Sequence, residues 1–236
     1  MAEMLTQISA LDDMIVPGRY GRSLPQGPGV ALSLVHPCEV AVVIAAKGKA
    51  RALSAAIKKD FGLDLPGMGR SATARGISLH GTAPDQWLAV APGAAAGSLA
   101  ARLEKKLGGV AMVTDQSHGR TVMRIEGPRA RDVLAKGTAV DLRPTSFKPG
   151  MCAATQIGHV GVMIACTGPD SFELSVLRSF AEGFWLGDTI TVADVSFLGM
   201  LHCLRSDMSP WQREQINARP KLAAWLDRTL AATDNG

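Results

Sequence analysis

Two stretches of the chain repeat one pattern, and this repeat restricts the possible folds more than any other feature of the sequence. VVIAAKGKARAL at 42–53 and MRIEGPRARDVL at 123–134 each contain an apolar strand pattern, a Gly or Pro break, and a helix pattern that includes Ala-Arg. PDQWLAV at 84–90 corresponds to PDSFELSV at 169–176, where Pro-Asp predicts a turn before an aromatic residue that begins a strand. The sequence therefore predicts one structural unit that is present twice.

The second copy begins with the run DQSHGRTVMRIEGPRARDVL at 115–134, which combines a polar turn, a strand and a helix start. Its alternation predicts a half-buried strand, with Thr121, Met123 and Ile125 facing a core and with Arg120, Arg124 and Glu126 facing outward. Gly127 and Pro128 end that strand. Pro at a first helical position loses no required N–H, so an amphipathic helix is expected directly after it.

The remaining periodicities predict a mixed α+β chain. Strands are expected near 32–35, 40–46, 76–80, 86–91, 110–114, 120–126, 152–157, 160–167 and 172–176, with helices near 49–61 and 94–107. Closely spaced hairpins favour antiparallel pairing over an all-parallel sheet. Loops are expected at 65–76, which we interpret as flexible, and at 143–150.

Composition excludes several classes of protein. The 236 residues are 47% hydrophobic and 19% charged, which allows a substantial core. The apolar run at 40–46 is far shorter than a membrane span, and residues 1–14 lack the pattern of a secretory signal, so a cytoplasmic protein without membrane contact is expected. The net charge of +4 comes with few aromatic residues, which argues against nucleic-acid binding.

The cysteines and histidines do not form a metal-binding pattern. Cys38, Cys152, Cys166 and Cys203 stand singly in or beside apolar stretches, without any CxxC spacing. His36 lies near Cys38, and His159 lies near Cys152, but these spacings alone are weak signals. We therefore predict neither a metal site nor a disulfide framework, and we interpret these residues as core or surface positions.

Several phrases in one order resemble a known family over about residues 5–184. They are MIVPGRYG at 14–21, DLPG at 64–67, APDQW at 83–87, LAKGTAVDL at 134–142 and DSFELSVLRSFAEGFW at 170–185. Together with the Asp-x-Ser-His turn at 115–118, they resemble the gamma subunits of heterotetrameric sarcosine oxidases, within the group built on the aminomethyltransferase (T-protein) fold. The resemblance implies two related strand-helix-strand units.

The resemblance also implies a role. A gamma subunit would assemble with alpha, beta and delta subunits in the oxidative N-demethylation of sarcosine to glycine. FAD, FMN, NAD and tetrahydrofolate would be held by those partners, and this chain would bind none of them. The aminomethyltransferases carry an acidic pair for folate chemistry, and alignment through the turn at 168–172 puts Val160 and Gly161 at those positions. Neither side chain can exchange a proton, so we predict no catalytic residue in this chain.

Other candidate site residues have structural interpretations that we favour. Ser117 and His118 are adjacent, so their side chains point apart in a strand-like segment and do not form a nucleophile and base pair. Asp115 is expected to cap its turn. His80 and Trp87 flank the turn at 81–85 and could line a pocket, although a core edge is the more common outcome. Cofactor-binding residues stay unassigned.

A change of character after Trp185 predicts a second region at 185–236, next to a first domain at 1–184. GDTITVADVSFLGMLHCL at 187–204 and RPKLAAWLDRTLA at 219–231 resemble the C-terminal helical part of glutathione transferases. Thr191 and Asp194 form a helix-capping box, and a second helix is expected at about 220–230. His202 and Cys203 are expected on a buried helix face and not as ligands.

Three functions follow from these observations and stay open at this point. The first is a non-catalytic structural subunit of a sarcosine oxidase complex. The second is a free-standing protein that binds a folate or a one-carbon group. The third is an interaction module that uses its glutathione-transferase-like tail to select a partner.

Overall fold

The computed structural model describes residues 17–24, 27–94, 97–157, 160–178, 182–183 and 186–187, together with positions 214, 217, 223, 224 and 227. The strands and helices, in chain order, are β1 (Gly18–Leu24), β2 (Gly27–Leu34), β3 (Cys38–Ala45), α1 (Ala50–Phe61), β4 (Ser71–Ala74), β5 (Ile77–Ala83), β6 (Gln86–Pro92), α2 (Ser98–Leu107), β7 (Ala111–Asp115), β8 (Arg120–Glu126), α3 (Ala130–Ala135), β9 (Cys152–Ile157), β10 (Val160–Gly168), β11 (Ser171–Leu177), β12 (Glu182–Gly183) and β13 (Leu186–Gly187). The predicted α+β class is confirmed.

Two antiparallel sheets contain most of these strands. Sheet one has the order β4-β5-β6-β3-β7, and sheet two has the order β1-β2-β8-β11-β10-β9. Every pairing within these two sheets is antiparallel, as the hairpin spacing predicted, whereas the short β12 and β13 pair in parallel. Neither of the two large sheets is therefore an all-parallel layer.

The topology confirms the predicted repeat. Strands β3, β4, β5 and β6 with helix α1 correspond in order and adjacency to β8, β9, β10 and β11 with helix α3. The strand before each copy joins the other copy's sheet: β2 pairs with β8, and β7 pairs with β3. The two units thus exchange their leading strands.

The sheets stack face to face, with apolar side chains on both sides of each sheet. One core lies between sheet one and helices α1 and α2. A second lies between sheet two, α3 and the connection that carries Leu142 and Phe147. Between the sheets is a third cluster, which we call the inter-sheet layer: Cys38, Val40, Leu88, Val90, Val122, Cys152, Met163 and Ala165.

This layer corrects the prediction that β8 is a half-buried strand. Ile125 and Thr121 are buried on one face as expected, but Val122 on the opposite face is also buried, with 2% of its surface exposed. Arg124, expected to face outward, forms an ion pair with the buried Glu173. The strand alternates as the sequence predicted, but a second sheet covers the face that the sequence assigned to solvent.

The segment 65–76 is also corrected, because it is not simply a flexible loop. It contains β4, which forms a hairpin with β5 through Arg75 and Gly76. Both turn residues have positive φ, 51° and 75°, as a tight two-residue hairpin turn requires. The predicted helix at 94–107 begins later, at Ser98, whereas the second loop, at 143–150, is confirmed as a turn-rich connection.

The tail is described at few positions. Ala223, Ala224 and Asp227 are helical, in agreement with the predicted helix at 220–230. Thr191, Asp194, His202 and Cys203 lie outside the described residues, so the capping box stays a prediction. Within the described part of the chain, no helix is long and apolar enough to cross a membrane.

Candidate binding cavity between the two sheets

A cavity of about 560 Å³ lies between the sheets where one end of the inter-sheet layer meets solvent. Sheet one contributes Val42 from β3, Thr82 from β5, and Gln86, Trp87 and Leu88 from β6. Sheet two contributes Arg120, Ala154, Thr155, Gln156, Gly161, Val162, Met163 and Leu177, from β8, β9, β10 and β11. Because seven strands contribute to the lining, its residues come from distant parts of the sequence.

Arg120 is the ionisable side chain of this lining, as far as the described residues show. Its Nε atom is buried and has no hydrogen-bond partner among them. Burial lowers the pKa of the Arg120 guanidinium below its usual value, because the charged form loses hydration. The cavity therefore holds a cation whose hydrogen-bonding capacity is not fully used.

Gly161 lines the same cavity, at the level of Arg120. Leu177 pairs with Arg120, and Val162 pairs with Val176, so Gly161 lies level with both Leu177 and Arg120. Gly161 and Arg120 are two strands apart, which puts about 10 Å between their Cα atoms. A Cβ atom added at Gly161 would meet nothing within 4 Å. The position at which the resemblance predicts a family carboxylate is thus open space, while Val160 packs against the second core.

The polar turn at 115–118 is structural, as the sequence analysis favoured. Asp115 Oδ1 accepts hydrogen bonds from the Ser117 N–H at 2.8 Å and from Ser117 Oγ at 2.6 Å. Ser117 Oγ also accepts from the Val40 N–H at 3.1 Å, which ties the turn to β3. His118 is exposed, and the described contacts include none between Ser117 and His118. The expected cap by Asp115 is confirmed.

His80 and Trp87 are both buried, and one of them reaches the cavity. Trp87 lines it and donates from Nε1 to the Pro66 carbonyl oxygen at 2.6 Å. His80 lies deeper, with 3% of its surface exposed, and its Nδ1 is 2.8 Å from Ser71 Oγ. Burial lowers the pKa of His80 to about 4, although the nearby Glu173 acts in the opposite direction. The expectation of a core edge holds for His80.

Sequence reasoning missed the buried carboxylate of Glu173. This side chain faces the inter-sheet layer, and its Oε1 accepts from Arg124 Nη2 at 2.6 Å. Burial, followed by the negative charge of Glu173, raises the pKa of the Cys38 thiol to about 12. Alternation along β11 places Glu173 on the face of the strand that is opposite to the face of Phe172 and Leu174. The sequence does not show that sheet one covers and buries this face.

The cysteines are buried free thiols at all three described positions, Cys38, Cys152 and Cys166. Among the residues described by the structure, no group of three His, Cys, Asp or Glu side chains is arranged to hold a metal ion. His36 does not extend such a group, and His159 and Cys203 fall outside the described residues.

Two stacked sheets with exchanged strands and a cavity between them define a duplicated α+β domain. Residues 45–194, more than half of the chain, match the model of the sarcosine oxidase, gamma subunit family. The chain belongs to this family. Residues 170–228 match the C-terminal domain of glutathione S-transferase, so the two matches overlap and the predicted boundary at 184 stays a prediction.

Curated relatives agree with the family match. The chain is 35% identical over 122 residues to the sarcosine oxidase subunit gamma of Corynebacterium sp. (strain P-1), covering 48% of this chain and 59% of that one. It is 34% identical over 121 residues to the subunit gamma of Arthrobacter sp., covering 50% and 59%. The matched region thus spans 59% of the length of both relatives.

Solved structures include a relative with a similar fold. A chain of the heterotetrameric sarcosine oxidase from Corynebacterium sp. U-96, solved with pyrrole 2-carboxylate, matches with a TM-score of 0.58 and 28% identity, covering 66% of this chain and 81% of that one. The aminomethyltransferase T of Bartonella henselae gives a TM-score of 0.48 at 21% identity, covering 68% and 46%.

Proposed function

We propose that this chain is a non-catalytic subunit of a heterotetrameric sarcosine oxidase, which demethylates sarcosine oxidatively to glycine. The observation that carries the proposal is the match to a chain of such a complex, which covers 81% of that chain at 28% identity. The gamma subunit family match over residues 45–194 supports it independently. The partners would be the alpha, beta and delta subunits, and FAD, FMN, NAD and tetrahydrofolate would be bound by those partners.

The chemistry of the cavity supports a non-catalytic role. General acid and base catalysis requires a group whose pKa lies near the working pH. Arg120 remains a poor acid even with a lowered pKa, and the glutamine, threonine, tryptophan and aliphatic side chains around it do not titrate. His118 is exposed outside this lining, and His80 is buried behind it. The described cavity therefore offers a binding surface without proton-transfer groups.

Co-expression with alpha, beta and delta subunits tests this proposal. We expect a yellow complex that contains one copy of each chain, measured by light scattering and by flavin absorbance after affinity purification through this chain. The chain alone should show no sarcosine oxidation. A stable monomer that never associates with the flavin-containing chains would contradict the proposal.

A second role, as an interaction module, is favoured by the glutathione S-transferase match at 170–228. In this case the tail would select the partner. A chain that ends at residue 185 distinguishes the two roles in the same co-expression. Retained assembly would assign the contact to the two-sheet domain, whereas lost assembly of a folded truncated chain would assign it to the tail.

A further inference from the structure

We propose that the cavity between the two sheets binds a small organic carboxylate, with Arg120 as the counter-ion. This inference goes beyond the subunit role, because it assigns a ligand site to this chain itself. It rests on the geometry of the cavity and not on assembly, so the two proposals can fail separately.

The hydrogen bonding of Arg120 is the first observation. Arg124 of the same strand has a carboxylate partner in Glu173, and Arg131 donates to the Pro169 carbonyl oxygen at 2.9 Å. Arg120 Nε, by contrast, is buried and unpaired among the described residues. Arg120 as a whole is half-buried, but a buried N–H group without an acceptor loses hydration without compensation. A bound anion would supply the missing acceptor, and the lowered pKa of Arg120 agrees with this unmet need.

The rest of the lining indicates the shape of the ligand. Val42 and Leu88 of sheet one and Met163 of sheet two give the cavity apolar surfaces, and Gln86 and Gln156 add amide groups that can donate and accept hydrogen bonds. A volume of about 560 Å³ lies in the range of small-molecule sites. The arrangement fits a molecule with a carboxylate at one end and an apolar body at the other.

A single guanidinium favours a carboxylate over a phosphate. The Arg fork matches the two oxygens of a carboxylate and neutralises its single charge. A phosphate dianion would leave about one charge without a counter-ion, because Arg120 is the one cation in the described lining. We therefore expect weak binding of inorganic phosphate.

Gly161 keeps this site free of negative charge. Its α-carbon faces open space in the cavity, and its φ lies outside the left-handed region, so a side chain can be added without backbone strain. An aspartate there would place a carboxylate in the same cavity as Arg120. It would repel an incoming anion, whereas an asparagine of equal size would not.

Calorimetry on the full chain with benzoate and its neutral analogue benzamide tests the site. We expect benzoate to bind at least about tenfold more tightly than benzamide, with inorganic phosphate as weak as benzamide. Arg120→Gln should weaken benzoate at least about tenfold, whereas Arg51→Gln, at an exposed helix position, should leave it unchanged. Circular dichroism establishes that each variant is folded.

Two further variants, Gly161→Asp and Gly161→Asn, test carboxylate binding in the cavity even if Arg120→Gln does not fold. Aspartate should weaken benzoate at least about tenfold, and asparagine should change it less than about threefold. Three results would overturn the proposal: no benzoate binding up to about 10 mM, equal affinity for benzoate and benzamide, or equal effects of the two Gly161 variants.

Discussion

The two units cover their sheets in different ways, although their sequences repeat one pattern. In the first unit, helices of 12 and 10 residues lie on sheet one, and Leu53, Ile57, Leu103 and Leu107 are almost fully buried beneath them. In the second unit, α3 has only 6 residues, and the connection that follows it supplies Leu142 and Phe147. Among the described residues, one unit is closed by two helices and the other by one short helix and irregular chain.

The second unit compensates with a central arginine. Arg131 Nη1 donates to the Phe147 carbonyl oxygen at 2.9 Å and also to that of Leu142, and its Nε donates to that of Pro169. Its guanidinium carbon lies 4.9 Å from the centre of the Phe172 ring. The side chain is 11% exposed, so the bonds to the buried Leu142 and Phe147 are largely shielded from water, whereas the bond to Pro169 lies at the surface. A polar hub thus orders the backbone where a longer helix is missing.

The two units show which structural features a repeated sequence pattern preserves. A strand, a break and a helix start are local patterns, so both copies keep them. Helix length is decided by what covers the sheet, and the second unit has an alternative cover. The comparison predicts that the units respond differently to loss of charge and to loss of apolar volume.

Replacing the hub is expected to have the largest effect. Arg131→Met keeps a long side chain but leaves the carbonyl groups of the buried Leu142 and Phe147 without their donor, so the free energy of unfolding should fall by about 4 kcal/mol. Urea denaturation measures this change. The control is Arg129→Met, whose side chain is 64% exposed and pairs with Asp132, with an expected loss below about 0.5 kcal/mol. Similar losses for both variants would refute the hub.

Removing equivalent leucines tests the apolar side of the comparison. Leu53 in α1 and Leu134 in α3 occupy the same position of the repeat, at 0% and 4% exposure. Leu53→Ala should lower the free energy of unfolding by about 3 kcal/mol, because two long helices cannot move to fill the cavity that it leaves. Leu134→Ala should lower it by about 2 kcal/mol, because a six-residue helix can shift into the space. The same urea series gives both values. A larger loss of unfolding free energy for Leu134→Ala than for Leu53→Ala would contradict the view that the first unit depends more on apolar packing.

The layer that joins the units should respond to pH through His80. The folded pKa of about 4 lies below the usual value near 6.5, so the unfolded chain binds more protons between these values. Stability therefore falls as pH drops through this window, by about 2 kcal/mol between pH 7 and pH 5. His80→Gln should flatten this part of the profile in chemical denaturation. An unchanged slope in the variant would mean that other groups cause the dependence.

In the first unit, a buried carboxylate caps the beginning of helix α2. Glu39 is fully buried, and it accepts from the Ser98 N–H at 2.8 Å and from the Leu99 N–H at 2.7 Å, where α2 begins. Glu39→Gln removes the charge that favours a helix N-terminus, so we expect a loss of about 1.5 kcal/mol by thermal melting. Ser98→Ala, which keeps both N–H bonds, is the milder control. A loss as large as that of the Arg131 variant would erase the contrast between the units.

Local patterns made much of the fold predictable. The bounds of β8 and β9 were predicted to the residue, because alternation and turn residues lie within a few positions of each other. The repeat at 42–53 and 123–134 correctly indicated two related units. The strand β4 was missed, since Ser-Ala-Thr-Ala has little hydrophobicity and is held by its hairpin with β5.

Contacts between distant residues made the rest unpredictable. Glu39 caps a helix 59 positions later, and Glu173 pairs with Arg124 49 positions earlier, so neither partner can be read from spacing. The cavity is formed by seven strands, and only the packing of two sheets brings Gln86 near Arg120. Sequence reasoning did single out Gly161, although for a missing carboxylate and not as part of a cavity.

The exchange of leading strands has a consequence for biosynthesis. Synthesis of strand β2 is complete at residue 34, whereas its neighbour β8 begins only at residue 120. On the ribosome, β2 cannot pair with β8 until residues 120–126 have been translated, and by then every strand of sheet one has been synthesised. Sheet one, by contrast, is complete once β7 emerges at residue 115. The first hairpin is therefore synthesised before the rest of the domain, yet it can join its sheet only after all strands of sheet one have been made.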